Sequence, residues 1–441
     1  MTAQTHPRRH LVVLLPWWRE RRPWVLPAAY VALALGLGLT SPHFGTLRLE
    51  GLLSRVASSS AVAVLSAVAS GMMALTAITF SFVFFGIQAA SASYSPRVVR
   101  ELHTRSALPH AFGIFAGTFV YAVLAIRSVD VSGRTGVNAP VMWLGLLWLL
   151  TSAVALLLLV PQIQGITLTR LLASLGDRGR AALERLYPPL TGDDGAAPTT
   201  ADARPEGALD ARALLHDGPP RHLVALDVEA LVAEARRVGA RVQIPMGIGD
   251  VILRGDPLAL LVGGSRPWNE RRVKRAVVLA CDRTVENDPA FSLRLIVDIA
   301  IRALSPAVND PTTAVMALHQ IESLLRRYAR SRLDVGRVAD ADGVLRLVYE
   351  TPTFDDLLSL ALLEIQQYGR ESTQVERCLS ALLHDLVERV SEPRRPCVRR
   401  LLTLHEATLR SSFSTEEERQ QASRADRLGL GHTADGAAPS L

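Results

Sequence analysis

The most heavily punctuated stretch of the chain runs from Glu286-Asn287-Asp288-Pro289, through Asp298, to Ser305-Pro306-Ala307-Val308-Asn309-Asp310-Pro311-Thr312-Thr313. Clustered carboxylate and amide oxygens are what a hard divalent cation or an acid–base pair requires. The same residues also have a local use. Asp-Pro occurs twice, each time opening an apolar periodic run. An aspartate at a helix N-cap accepts a backbone N–H, and proline at the first helical position loses no hydrogen bond. Ser305-Pro306 ends the first run, because a residue before proline resists the α region. Two helices joined by a proline-stiffened turn are therefore predicted, with Asp298 and Arg302 spaced i,i+4 to pair. The spacing matches no EF-hand or other ligand loop. Asp288, Pro289, Asp298, Arg302, Ser305, Pro306, Asn309, Asp310, Pro311 and Thr312 are read as a structural signature, and no metal, cofactor or catalytic residue is expected.

A second arrangement with chemical potential lies in the uncharged run of 41 residues from Val56 to Pro96. At about 100° per residue, Ser59, Ser66, Ser70, Ala77, Ser81, Gln88, Ser91 and Ser95 fall on one arc of a helix, with most large apolar residues off it. Such a stripe lets neighbouring helices approach closely. It can also line a wet path, offering hydroxyls and an amide to partly dehydrated ions, although packing is the plainer reading. As one helix the run would measure roughly 60 Å, twice the hydrocarbon core of about 30 Å. One long helix is expected in preference to a hairpin at Gly71, because no proline or polar cluster marks a turn there.

The elements that would carry these features follow from charge and hydropathy. Residues 1–170 hold 13 basic and 4 acidic side chains, a balance of +9, whereas residues 171–441 hold 35 and 38, a balance of −3. The chain's net +6 therefore belongs to the apolar half, which excludes a basic nucleic-acid-binding domain and indicates membrane topology. Four spans are expected, at about 24–40, 56–90, 108–126 and 141–160, within a transmembrane domain of residues 1–170. Arginines are denser in the N-terminal tail, in 97–105 and in 170–180 than in the two intervening loops. That places both termini in the cytoplasm. Arg97, Arg100 and Arg105 anchor this topology and can hold anionic lipid headgroups, at about 1 kcal/mol each. Cys281, Cys378 and Cys397 form neither a disulfide framework nor a zinc ribbon. There is no phosphate-binding, dinucleotide, zinc-protease or nucleophile-elbow motif, and the 11 histidines are scattered.

Beyond the membrane half, a cytosolic, mainly helical α+β domain is expected. Residues 171–220 read as a helix followed by a flexible linker. Residues 221–268 read as a small α/β module, with a helix over 227–238 and β-like segments at 241–245, 251–254 and 258–262. Residues 269–428 read as mainly helical, including 269–281, with one strand near 344–349, and 429–441 as a disordered tail.

With these residues in place, the chain resembles a family of bacterial predicted membrane proteins of unknown function that bears a Leu-Ser-Pro-x-x-Asn-Asp-Pro-x-Thr-Ala signature. The match is Leu304-Ser305-Pro306, then Asn309-Asp310-Pro311-Thr312-Thr313-Ala314. Ser95-Pro96-Arg97 with Arg100, Gln88, Phe112, Phe119 and Tyr121 match as well, and the resemblance spans roughly residues 20–410. The chain departs from the family at Arg221-His222, where a Gly-Tyr-type entry is usual. The resemblance implies a four-span membrane domain plus a cytosolic domain, and no particular activity. The expected function is a non-enzymatic homo-oligomer in the lipid bilayer that forms a channel or transport path along the second helix, assembled or gated by the cytosolic domain. The alternative is a membrane-anchored sensor or scaffold that binds a cytosolic protein partner. A membrane-bound enzyme using the Asp288–Asp310 carboxylates ranks last.

Overall fold

The computed structural model describes residues 24–40, 58–93, 107–131, 139–164, 168–190, 212–264 and 266–424. The chain divides into two compact units at Thr167/Leu168.

The N-terminal unit is built from four apolar helices: α1 (Val25–Thr40), α2 (Ser58–Ser93), α3 (Ala107–Val131) and α4 (Ala139–Gln164). Three of them, α2 to α4, are long and apolar enough to cross a membrane, whereas α1 is a shorter apolar helix of 16 residues. The four predicted spans are thus three full-length helices and one short one. The α2 helix passes Gly71 without a break, because nothing in Ser58–Ser93 interrupts its backbone ladder. The α4 helix continues past the expected end of the fourth span near residue 160, through Pro161, and ends at Gln164.

The central helix is α3, which packs against the other three. A Cβ on Gly113 would lie 2.6 Å from the Tyr30 ring and 2.9 Å from Cα of Pro27, and one on Gly38 would lie 2.7 Å from Leu124. These glycines let α1 and α3 touch backbone to backbone, and the pairing Pro27/Gly113 with Gly38/Leu124 makes the two helices parallel. The α4 helix runs the other way. The Tyr121 hydroxyl donates to the Val141 carbonyl at 2.8 Å, Thr118 and Ser152 share a hydrogen bond of 2.8 Å, and Leu159 packs with Phe115 and Ala111. On α2, Phe80 meets Phe112 edge-on at 6.3 Å, while Leu65 shares a cluster with Tyr121 and Ala125. The α2 helix is therefore also antiparallel to α3, and the four helices alternate in direction. The buried hydroxyls of Thr118, Tyr121 and Ser152 end on carbonyls or on each other, as an apolar surround requires.

The C-terminal unit opens with α5 (Leu168–Leu186). Next come β1 (Arg212–Leu215), β2 (Arg221–Leu226), α6 (Val228–Val238), β3 (Arg241–Gly247), β4 (Val251–Ile252), β5 (Pro257–Val262), α7 (Glu270–Ala276) and β6 (Val277–Ala280). These are followed by α8 (Pro289–Ala303), α9 (Pro311–Tyr328), β7 (Arg337–Ala339), β8 (Leu345–Glu350), α10 (Phe354–Gly369), α11 (Thr373–Arg389), α12 (Arg395–Ser412) and α13 (Glu416–Ser423). The strands form a five-stranded sheet, β1-β5-β3-β8-β7, and a three-stranded sheet, β4-β2-β6. Pairing is antiparallel throughout except between β3 and β8. Leu223, Leu231, Val242, Ile244, Ile252, Leu261 and Leu347 fill the common core with α6.

Three sequence expectations are corrected here. Residues 171–220 are not all helix and linker, because Arg212–Leu215 adds β1 to the edge of the five-stranded sheet. The β-module is not confined to 221–268, because β8 pairs in parallel with β3 from about 100 residues away. Residues 269–281 are not one helix: the chain leaves α7 at the β-branched pair Val277-Val278 and pairs with β2. The expected tail 429–441 lies outside the described residues.

The rest is a helical bundle centred on α8, which buries ten of its fifteen residues. Helices α5, α9 and α10 pack around it, with α11 on α9 and α12 and α13 on α11.

Candidate functional site

On α2 the packing face and the polar stripe point in opposite directions. Ala61, Leu65, Val68, Ala69, Met72 and Thr79 are buried. At about 100° per residue they lie on the side of the helix away from the stripe. Ser59, Ser66, Ser70, Ala77, Ser81 and Gln88 are all exposed. Ser91 lies in the same helix, and Ser95 lies outside the described residues, as do Arg97, Arg100 and Arg105. Two of the serines fold their hydroxyls back onto the helix: Ser70 donates to the Ala67 carbonyl at 3.2 Å and Ser81 to the Ala77 carbonyl at 3.0 Å. Their remaining acceptor lone pairs face outward. Within the described unit the stripe is therefore not what α2 uses to pack on α3 and α4. Two large residues interrupt it. Met73 and Phe84 fall on or beside the same arc and are exposed.

In the C-terminal unit, the acidic residues of the signature are spent separately. Asp288 caps α8 and accepts the Phe291 N–H at 3.2 Å. Its other oxygen receives Arg283 Nε at 2.8 Å, and that guanidinium lies 4.8 Å over the Phe291 ring. Pro289 holds the first position of α8. Glu286 is held by Arg178 of α5 at 2.7 Å, and Arg185 donates to its backbone carbonyl. Asp298 pairs with Arg294, one turn earlier, at 2.5 Å. Arg294 also reaches Glu364 on α10, so an i,i+4 pair within α8 is extended by a tertiary pairing that ties two helices together.

Asp310 caps α9, accepting the Thr313 N–H at 3.1 Å and the Thr313 hydroxyl at 2.6 Å. Its own N–H returns to the Ala303 carbonyl at 2.8 Å. The Ser305 hydroxyl donates to the Arg302 carbonyl at 2.7 Å, and the N–H groups of Val308 and Asn309 both reach the Ser305 carbonyl. Pro306 breaks the helix, Pro311 opens the next, and Thr312 is exposed beside it. Asn309 has φ 48°, a left-handed conformation that asparagine tolerates better than most residues. The turn is rigid, yet Pro306 to Asn309 face outward, with Val308 52% exposed. Among the described residues no group of three or more His, Cys, Asp or Glu side chains stands together in a way that could hold a metal ion.

Sequence reasoning missed one constellation. Glu376 and Ser380, a turn apart on α11, meet His405 of α12. His405 Nε2 lies 2.7 Å from Ser380 Oγ, and Nδ1 lies 3.1 Å from Glu376 Oε2. By distance this is an acid–histidine–serine relay. It cannot act as a nucleophile. Ser380 is 2% exposed, and its backbone N–H sits mid-helix, where the helix ladder uses it. The only sequence signal was the i,i+4 spacing of Glu376 and Ser380, and His405 is remote in the chain.

The comparisons with known proteins fit this architecture. The family described as "Predicted membrane protein (DUF2254)" matches residues 20–385. The chain is similar to an uncharacterized protein of Mycobacterium bovis and to one of Mycobacterium tuberculosis, 28% identical to each over 412 residues, which cover 90% of this chain and 78% of each relative. No solved structure matches the chain.

Proposed function

The chain belongs to this predicted membrane protein family of unknown function (DUF2254), and on that premise we propose that it is an oligomeric channel or transport protein whose conducting path is lined by α2. The supporting observation is the exposure of Ser59, Ser66, Ser70, Ala77, Ser81 and Gln88 on the side of α2 opposite its packing face. A helix inside a membrane gains nothing by offering hydroxyls and an amide to lipid. Copies of α2 around an axis would instead turn these groups to water and ions. Met73 and Phe84 would then form narrow apolar points of the path, where a pore gates by losing its water.

The alternating directions of α1 to α4 support four crossings with both ends of the unit on one side, and the arginine distribution favours the cytoplasmic side of a bacterial inner membrane. The short α1 helix runs along α3 from Pro27 to Gly38, so it would cross with little projection. The C-terminal unit would serve as the cytosolic part that assembles or gates the path.

The test is conductance of the purified full chain in planar bilayers. Ser81→Trp, which fills the stripe without touching the packing face, is expected to reduce single-channel conductance, and Ser70→Trp likewise. Electrical silence from demonstrably folded oligomers, or a monodisperse monomer in membranes, sinks the proposal and leaves the partner-binding scaffold in its place.

A further inference from the structure

The seam of Glu376, His405 and Ser380 lies in the C-terminal unit, apart from the α2 stripe, and its surroundings bear on its protonation. No hydrogen-bond donor reaches either carboxyl oxygen of Glu376, and Nδ1 of His405 also lacks an aligned partner, although it lies 3.1 Å from Oε2. The two residues are 0% and 1% exposed. A bare carboxylate or an imidazolium would be costly here. Burial pushes Glu376 from 4.5 up to about 8. Burial, reinforced by the nearby His384, pulls His405 from 6.5 down to about 4. Groups this close titrate as a pair. Between those limits the pair keeps one proton, on Glu376, and no net charge.

Several charged groups on the packed elements are engaged elsewhere. On α9, Glu322 is paired with Arg326, which also holds Asp385 of α11. On α10, Asp355 is paired with Arg400 of α12, and Gln366 donates to Thr408. On α13, Glu418 accepts the N–H of Thr415 at its own helix cap. None of these delivers a countercharge to Glu376.

The seam holds the last two helices of the described fold. The buried residues of α12 are Val398, Leu401, His405 and Leu409, and α13 buries Ala422. His405 thus sits in the middle of the stripe that seats α12 on α11. Elements with so few buried groups open first. We propose that the proton shared by Glu376 and His405 is a latch: while it is present α12 and α13 stay seated on α11, and its loss releases this C-terminal helical pair from the bundle.

The direction with pH follows by linkage. Released, the two side chains meet water and titrate at their ordinary 4.5 and 6.5. Between those values both states hold one proton, so release does not depend on pH. From 6.5 to about 8 the seated state holds one proton and the released state none. The raised Glu376 value therefore stabilises the seated form at low pH, and that stability is lost as pH rises through this window. Release is favoured tenfold per pH unit, about 30-fold over the window.

The experiment is amide hydrogen exchange on the full chain in detergent micelles, corrected for the intrinsic chemical rate and read across residues 395–423. Opening of these residues is expected to rise about 30-fold between pH 6.5 and 8, while α8 stays protected. Glu376→Gln, which keeps the shape but carries no titrating proton, is expected to abolish that slope. A flat wild-type profile overturns the latch, as does a slope that survives in Glu376→Gln or one shared equally by α8. Infrared spectroscopy of the wild-type chain provides a check independent of any variant. A protonated carboxylic acid band at neutral pH that fades above pH 8 supports the proposal, and its absence at neutral pH overturns it.

Discussion

Asp288 performs two separable tasks, and substitutions can price each one. Its Oδ1 caps α8, and its Oδ2 is paired with Arg283. The carboxylate is 6% exposed and the guanidinium 24%. Asparagine is as good an N-cap as aspartate, so Asp288→Asn removes the charge and keeps the cap. Losing one partner of a buried pair costs about 3–5 kcal/mol, because the other charge is left uncompensated. Arg283 is partly hydrated and lies over Phe291, so about 2 kcal/mol is expected. Asp288→Ala also loses the cap, adding about 1 kcal/mol. The double variant Asp288→Asn with Arg283→Met removes the stranded charge and should recover part of the loss. Urea-dependent amide exchange across Pro289–Ala303 in the full chain reads these differences directly. Equal costs for Asn and Ala would refute the cap. No cost for Asn would refute the ion pair. An Asn variant of normal stability that has lost function would show that the carboxylate does chemistry, contrary to the structural role argued here.

Two further outcomes are expected. Gly113→Ala places a Cβ 2.9 Å from the Pro27 backbone and should cost about 1–3 kcal/mol as α1 is pushed from α3; Gly36→Ala, which meets nothing within 4 Å, should leave the thermal midpoint in detergent unchanged or raised. Asn309→Val forces a β-branched residue into a left-handed conformation at φ 48° and should cost about 1–2 kcal/mol. Asn309→Gly should stay within about 0.5 kcal/mol of wild type, with both read by urea midpoint.

Much of the local structure was legible because its causes are local. The Asp-Pro pairs announce the starts of α8 and α9, since N-cap geometry needs only a carboxylate and a fixed φ. The uncharged run announces α2, and the imbalance of +9 against −3 separates the membrane half from the rest. The sequence also placed a polar stripe along α2, but periodicity only says which residues share a face. Whether that face packs or looks outward depends on where α3 and α4 lie, and only the tertiary structure put Leu65 and Met72 inward and Ser70 and Ser81 outward. The same limit hid the ties across the C-terminal unit. Arg294 reached Glu364 on α10, β8 came from about 100 residues away to pair with β3, and His405 met Glu376 and Ser380 between α11 and α12. These are contacts between remote parts of the chain, and burial, which decides the charge on Glu376 and His405, exists only once the chain has folded.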